Sequence, residues 1–421
     1  MLRCSKLRFT VPLLLMLLGA GAIAQQNQKR SSEVERQRGW RSQVNTTNWD
    51  DGGALSRWVY LNSTEVFPSC PVERAGAVRP LPVRLRPEIG DFVVDRGKRD
   101  VTLREWIHSG TPDGFIILSK GAVVYEEYPQ MQRTDVHLSF SVTKAFVGTV
   151  LGILESEGRI DLDVPIERYL PELSRTEWAG THVRDIADMA SGMEGAEDSF
   201  AAYSDPMNKH FQMEAAMGWQ PRSAAMPESV RAGETYAYVH TLKRVREAGK
   251  EQVYTSANTE LLTELIERLT DKPLCQVISE KIWSKIGAEN DAYLLTNEKG
   301  FPIAHGGMGM TLRDLARFGL FFTPTGHNSD AEGAPATFVR NLLEKGRPEL
   351  AKGKRPAWFS HSSYQWDGVS KYGQIFKGGF AGQILFVDCK KDVVIAYFGT
   401  NPNSDTPPTP LPLVALVQRY F

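Results

Sequence analysis

Apolar residues at Phe146, Val147, Val150, Leu151 and Leu154 return at three- and four-residue steps and stop near Gly158. That is the period of a helix packed by one face. Upstream, two unbroken apolar runs, Phe115-Ile116-Ile117-Leu118 and Ala122-Val123-Val124-Tyr125, flank Ser119-Lys120-Gly121. The pattern predicts a β-hairpin closed by a short glycine turn. A second pair of runs, Ile384-Leu385-Phe386-Val387 and Val393 to Phe398, is joined by Asp388 to Asp392 and predicts a second hairpin. Between the pairs, from about Asp161 to Lys345, helical spacing dominates, as in Leu261-Leu262-Thr263-Glu264-Leu265-Ile266 and Thr311 to Phe318. A last helix is expected from about Leu411 to Phe421. This order implies an α/β plus all-α fold, an antiparallel sheet built from both chain ends and flanked by helices, with an inserted helical lobe. The α/β lobe is expected to hold residues 101–160 and 346–421, and the mostly helical lobe residues 161–345.

The polar stretch from Gln25 to about Pro87, with Asn45-Thr46-Thr47-Asn48 and several prolines, follows neither period. It predicts a loosely structured lead, residues 25–100, that wraps the body rather than forming a domain. Ahead of it, Arg3, Lys6 and Arg8 precede an apolar run from Phe9 to Ala20 and then Ala22-Ile23-Ala24. That is the order of a secretory leader with a small-x-small cleavage site. The run is short for a membrane span and Pro12 interrupts it. Residues 1–24 are therefore expected to be removed and the rest exported to the periplasm or secreted, with no stable membrane anchor.

Composition changes this picture little. At 421 residues, 42% hydrophobic and 24% charged, the chain can bury a large core and is neither fibrous nor disordered. Loss of a leader takes three of the 49 basic residues and none of the 50 acidic ones. The charge left is too mild for a nucleic acid or other polyionic partner. Cys70, Cys275 and Cys389 allow at most one internal disulfide, and their spacing excludes a Cys-x-x-Cys metal or redox site. Each is expected to be a buried small apolar residue.

The candidate chemistry begins at Ser141-Val142-Thr143-Lys144, where the helical period opens. Residues three apart share a helix face, so a lysine amine whose charge is suppressed by burial can take the serine hydroxyl proton. With 19 lysines in the chain, such a pair arises by chance about once, so the assignment needs partners. Two segments supply them. Tyr254-Thr255-Ser256-Ala257-Asn258-Thr259 precedes the helical run at Leu261, and Lys377-Gly378-Gly379-Phe380-Ala381-Gly382 leads into the strand at Ile384. Small residues in the second let a substrate lie close to a sheet edge. Gly-x-Ser-x-Gly and His-Glu-x-x-His do not occur, which disfavours an α/β-hydrolase elbow and a zinc hydrolase. His137 and His305 are read as structural histidines.

In this order and context the three segments resemble the serine β-lactamase and penicillin-binding-protein superfamily, with its Ser-x-x-Lys, Tyr-x-Asn/Ser and Lys/His-x-Gly signatures, from about Thr111 to the C-terminus. The flavour is that of the 6-aminohexanoate-dimer hydrolase branch. It shows in Thr111-Pro112-Asp113-Gly114, Tyr203-Ser204-Asp205-Pro206 and Arg313 to Phe318. The resemblance implies a β-lactamase/transpeptidase-like fold and a serine hydrolase that cleaves an amide or ester through an acyl-enzyme, with a small molecule or short peptide as substrate and no metal or cofactor. It implies Ser141 as nucleophile, Lys144 as base, Tyr254 as proton shuttle and Lys377 as the positive group on the facing strand. Gly379, Phe380, Ser256 and Tyr203 are implied as substrate-binding or supporting residues, with the N–H groups of Ser141 and Phe380 as oxyanion donors. Two departures stand out: Ser256 occupies the place of a β-lactamase asparagine and Gly378 that of a threonine. A β-lactamase, a D-alanyl-D-alanine carboxypeptidase and an inactive peptide- or cell-wall-binding homologue are the rival readings.

Overall fold

Strands that read as unbroken apolar runs are covered on both faces, and the computed structural model shows what covers them. It describes residues 35–421 apart from 97–98, 232, 328–331, 354–355 and 402–410. The expected leader lies outside the described residues. The chain divides after Asn45; the smaller unit before it has a helix over residues 35–43, with the Arg36 guanidinium 5.4 Å from the centre of the Trp40 ring.

Among the described residues of the larger unit, thirteen strands form three sheets. They are β1 (Ser69–Val72), β2 (Val93–Arg96), β3 (Asp100–Thr102), β4 (Pro112–Ser119), β5 (Ala122–Glu127), β6 (His137–Leu138), β7 (Ala292–Leu295), β8 (Met308–Met310), β9 (Phe359–Ser363), β10 (Trp366–Ser370), β11 (Gln374–Gly379), β12 (Gln383–Asp388) and β13 (Val393–Gly399). The principal sheet is antiparallel in the order β5-β4-β13-β12-β11-β10-β9, so strands from both ends of the chain meet where β4 pairs with β13. Phe115 and Ile117 lie opposite Tyr397 and Ile395 and, with Ile384 and Phe386, bury one face against the C-terminal helix Leu411–Tyr420 through Leu416 and Val417. The alternate residues Leu385 and Val394 point the other way, towards the helix Leu312–Leu320. That approach is close enough to require Gly319, where a Cβ would stand 2.4 Å from Val394 Cγ1. Both predicted hairpins are present. The first turns through Lys120 and Gly121 with φ of 50° and 75°, the paired positive φ that suits the twist of a two-residue hairpin loop.

The helix Thr143–Ser156 runs through the middle with all but its last two residues buried. Gly148 and Gly152 let it in, because a Cβ at either would meet the Tyr364 carbonyl or the Phe338 ring within 2.2 Å. Phe146 stacks on Phe318 at 3.8 Å.

Three expectations need correction. The segment 161–345 is not wholly helical: β7 and β8 belong to a second sheet, ordered β1-β7-β8-β6. Each of these strands is two to four residues long, too short to show a period of two. The lead is more ordered than expected, with a helix at Gly53–Leu61, β1 in the second sheet, and β2 paired with β3. Finally, Cys70 and Cys275 are not separate buried apolar residues but form a disulfide with Cα atoms 6.3 Å apart, fastening the lead to the helix Leu274–Ile278; Cys389 is free and buried. In the chain-entropy account a bridge across 205 residues stabilises by up to about 5 kcal/mol. Reduction with dithiothreitol, or Cys70→Ser, is expected to lower the thermal midpoint by several degrees; an unchanged midpoint would show that the bond constrains nothing.

Candidate active site

The turn that carries Ser141 sits between the two sheets. β6 pairs with β8, and Ser139 extends that ladder by donating through its N–H to Met308 O at 2.8 Å. The Ser139 hydroxyl donates to the same oxygen, and Thr143 Oγ1 accepts from Met308 N at 3.0 Å. The chain then turns through Phe140 at φ 46° into a short 3-10 turn over Phe140–Val142 and the long helix. A left-handed conformation at a bulky residue costs about 1–3 kcal/mol and marks sites where surrounding structure fixes the backbone. On the opposite side β11 closes in. A Cβ at Gly379 would lie 2.7 Å from Ser139 O, so only glycine lets the strand approach the turn this closely.

Lys144 is fully buried, and its Nζ stands 2.9 Å from Ser141 Oγ and 2.8 Å from His305 O. Burial lowers its pKa to about 7; Glu197 opposes this and Lys377 adds to it. The amine is therefore substantially neutral at neutral pH, with a lone pair available for the serine proton. The Tyr254 phenol hydrogen-bonds with Ser141, and burial, then the charges of Asp367 and Glu197, hold it well above its usual range. It keeps its proton and can relay one, whereas a resting phenolate is disfavoured. Lys377 Nζ donates to the Tyr254 hydroxyl at 3.0 Å and forms an ion pair with Asp367, which also accepts from Gly378 N at 2.8 Å. Both lysine Nζ atoms face the Tyr254 ring, 4.9 Å and 4.7 Å from its centre.

These groups border a cavity of about 530 Å³ whose walls include Ser141, Tyr254, Tyr203, Gly379 and Phe380. Tyr203 donates to Glu197 Oε2 at 3.0 Å and its ring lies 6.1 Å from that of Phe380. Ser256 is not on the wall: it is fully buried at the start of the helix Ala257–Thr270, and its N–H donates to Glu197 Oε1 at 2.7 Å. The structure thus brings Ser141, Lys144, Tyr254 and Lys377 together, and sets Ser256 behind them.

Several site residues were not legible in the sequence. Along the cavity wall, with Glu260 behind it, buried carboxylates and imidazoles alternate. Glu260 Oε1 pairs with His305 Nδ1 at 2.8 Å, and Glu214 Oε1 lies 3.6 Å from His305 Nε2 and 3.3 Å from His210 Nε2. The latter two are ion-pair separations rather than aligned hydrogen bonds. His210 Nδ1 is 3.6 Å from Glu197 Oε1. Burial alone would raise Glu214, but the two histidines pull it well below the usual carboxylate range; burial alone would lower His305, yet Glu214 and Glu260 raise it. Asp50 also lines the cavity, and burial, with Glu214 and Asp51 nearby, raises it to about 7. Asp367 left one trace, as the lone charge in Trp366-Asp367-Gly368-Val369-Ser370. The others have no local pattern. His137 is satisfied structurally, bonding Leu138 O at 2.7 Å and Asp113 Oδ2 at 3.1 Å. His305 lends the site its carbonyl as well as its ring. Among the described residues no group of three or more His, Cys, Asp or Glu is placed to hold a metal ion.

Comparison with known proteins agrees with this geometry. The Beta-lactamase family pattern matches residues 113–418. A 6-aminohexanoate-dimer hydrolase of Paenarthrobacter ureafaciens is 29% identical over 357 residues, covering 83% of this chain and 87% of the relative. A Bacillus anthracis structure that carries the 6-aminohexanoate-dimer hydrolase name superposes with a TM-score of 0.74 at 25% identity, over 89% of this chain and 95% of that one. A family VIII carboxylesterase shares the fold, with a TM-score of 0.53 at 17% identity over 74% and 92% of the two chains. With the pattern spanning most of its length, the chain belongs to the Beta-lactamase family and is a hydrolase of that serine enzyme superfamily.

Proposed function

We propose that this chain is an exported serine hydrolase that cleaves a small linear amide or ester through an acyl-enzyme on Ser141. The observation that carries the reading is the 2.9 Å contact between Ser141 Oγ and a buried Lys144 amine. A positioned base removes the serine proton as the hydroxyl attacks the carbonyl. The N–H groups of Ser141 and Phe380, both on the cavity wall, are the donors for the developing oxyanion. Tyr254, kept neutral, relays the proton that Lys144 has taken on to the leaving group; a water then gives its proton to the same pair as it attacks the acyl carbonyl, and that proton returns to Ser141 Oγ as the acid is released. Carboxyl-bearing side chains on the wall, Asp50, Asp198 and Glu214, favour a substrate with an amine end, in keeping with the dimer named for the Paenarthrobacter relative. The Cys70–Cys275 disulfide supports an oxidising destination outside the cytoplasm.

The rival β-lactamase reading is weakened by two side chains. Gly378 has no hydroxyl to offer a lactam carboxylate, and Ser256 is buried and does not line the cavity. Two hydrogen bonds of about 1.5–3 kcal/mol each are missing, enough to lower penicillin turnover by roughly 10²-fold or more. A panel of p-nitrophenyl acetate and butyrate, short ω-amino-acid amides and a chromogenic cephalosporin is expected to show ester hydrolysis, amide hydrolysis and poor cephalosporin turnover. If the cephalosporin had the highest kcat/KM, the β-lactamase reading would replace this one; no turnover of any member would favour the binding homologue.

A further inference from the structure

Trp49 stands outside the stretch that matches the family pattern, in the lead segment, yet it is 1% exposed and forms part of the cavity wall. It is stacked on Phe140, with ring centres 5.9 Å apart and planes 20° apart, and its other ring neighbours are Trp219 at 5.1 Å, Phe67 at 5.1 Å and Tyr60 at 6.4 Å. Phe140 is the left-handed residue immediately before Ser141. Its ring is boxed by Tyr60 at 4.8 Å, Phe380 at 5.3 Å and Trp219 at 6.4 Å, with Trp49 closing the stacked side.

The second set of contacts leads to the base. Trp49 Nε1 donates to Trp219 O at 2.9 Å. The Trp219 ring lies 5.2 Å from the His305 ring and against Gly306, where a Cβ would meet it at 3.0 Å. The carbonyl of His305 is the acceptor that holds Lys144 Nζ at 2.8 Å. One side chain of the lead therefore braces the backbone on both sides of the 2.9 Å Ser141–Lys144 contact.

We propose that Trp49 is a positioning residue that fixes the nucleophile turn against the lysine, so that the lead segment is a working part of the active site rather than a wrapping. The proposal rests on Ser141 and Lys144 being nucleophile and base. Without the indole, the strained Phe140 turn can relax and the His305 carbonyl can shift, and a displacement of about 1 Å between reacting groups lowers rate by ~10²-fold.

The full chain carrying Trp49→Ala or Trp49→Phe tests this through the second-order rate of fluorophosphonate labelling, kcat and KM for p-nitrophenyl butyrate, and the pH at which labelling is half-maximal. Trp49→Ala is expected to slow labelling and kcat by about 10- to 100-fold, with KM changed much less and the pH midpoint displaced. Trp49→Phe keeps a flat ring against Phe140 but not the donor to Trp219 O, and should recover part of the rate. If Trp49→Ala does not fold, Trp49→Leu, which fills much of the space without a stacking face, carries the same expectation. A folded Ala or Leu variant with wild-type labelling rate and pH midpoint would overturn the proposal, as would a loss confined to KM, which is the mark of a wall residue. Failure of the wild-type protein to label or to hydrolyse any ester would instead sink the reading of Ser141.

Discussion

Substituting alanine for Ser141 will abolish fluorophosphonate labelling and lower ester and amide turnover by about 10⁴- to 10⁶-fold. Among the described residues, the Ser141 hydroxyl is the nucleophilic side chain bonded to the Lys144 amine, and Ser141 lines the cavity. Without it the acyl-enzyme cannot form, and only what binding and the oxyanion donors contribute remains. The fold should survive, because the side chain's bonds are to Lys144 and Tyr254 rather than to the nearby Ser139–Met308 ladder that holds the turn. Mass spectrometry of the labelled protein supplies the check. A probe found on any other residue, or a folded alanine variant with more than a few per cent of wild-type rate, would remove Ser141 from the mechanism.

Lys144→Arg should be nearly as damaging, by about 10²- to 10⁴-fold, the range that general base catalysis contributes. A guanidinium cannot be deprotonated in a protein and so cannot accept the serine proton. The same argument fixes the pH profile. Lys144 is lowered to about 7, so below that pH it is an ammonium with no lone pair, and above it a free amine. Activity should therefore rise with pH through an inflection near 7 and level off above it. Replacing Lys377 with Met removes one like charge and leaves Asp367 without its ion-pair partner, so the inflection should move upward. A pH-independent wild-type rate between pH 5.5 and 8.5, or an active arginine variant, would show that lysine is not the base.

How much of this was legible follows from the range of each interaction. Ser141 and Lys144 are three residues apart on one helix, so their relation is local and was visible in the chain. The hairpins were visible because each strand is buried along its apolar run and its partner is the next segment along. Strands β9 and β10 were not, and β11 was implied only by the resemblance. β9 and β10 mix Ser, His, Asp and Gly, and β11 ends in Lys377-Gly378-Gly379, a composition that hides strand character; Asp367, Gly378 and Gly379 line the cavity. The sheet inside the middle segment escaped for a different reason: a strand of three residues between Gly306-Gly307 and the helix that starts at Leu312 carries no period to read.

The sequence by itself determined the serine and lysine pair, the family resemblance, the two hairpins and the order of lobes, all of them carried by neighbours in the chain or by signatures in fixed order. Only the tertiary structure decided that Asp367 pairs with Lys377, that Glu197, His210, Glu214, His305 and Glu260 alternate along and behind the cavity wall, that Ser256 does not line it, that Cys70 bonds Cys275, and that Trp49 leans on the residue before Ser141. Apart from His210 and Glu214, four apart on one helix, those partners are separated by ten to more than two hundred residues. What joins them is burial: a charge or an indole removed from water must find its complement in whatever the fold places beside it, and no spacing along the chain records which residue that is.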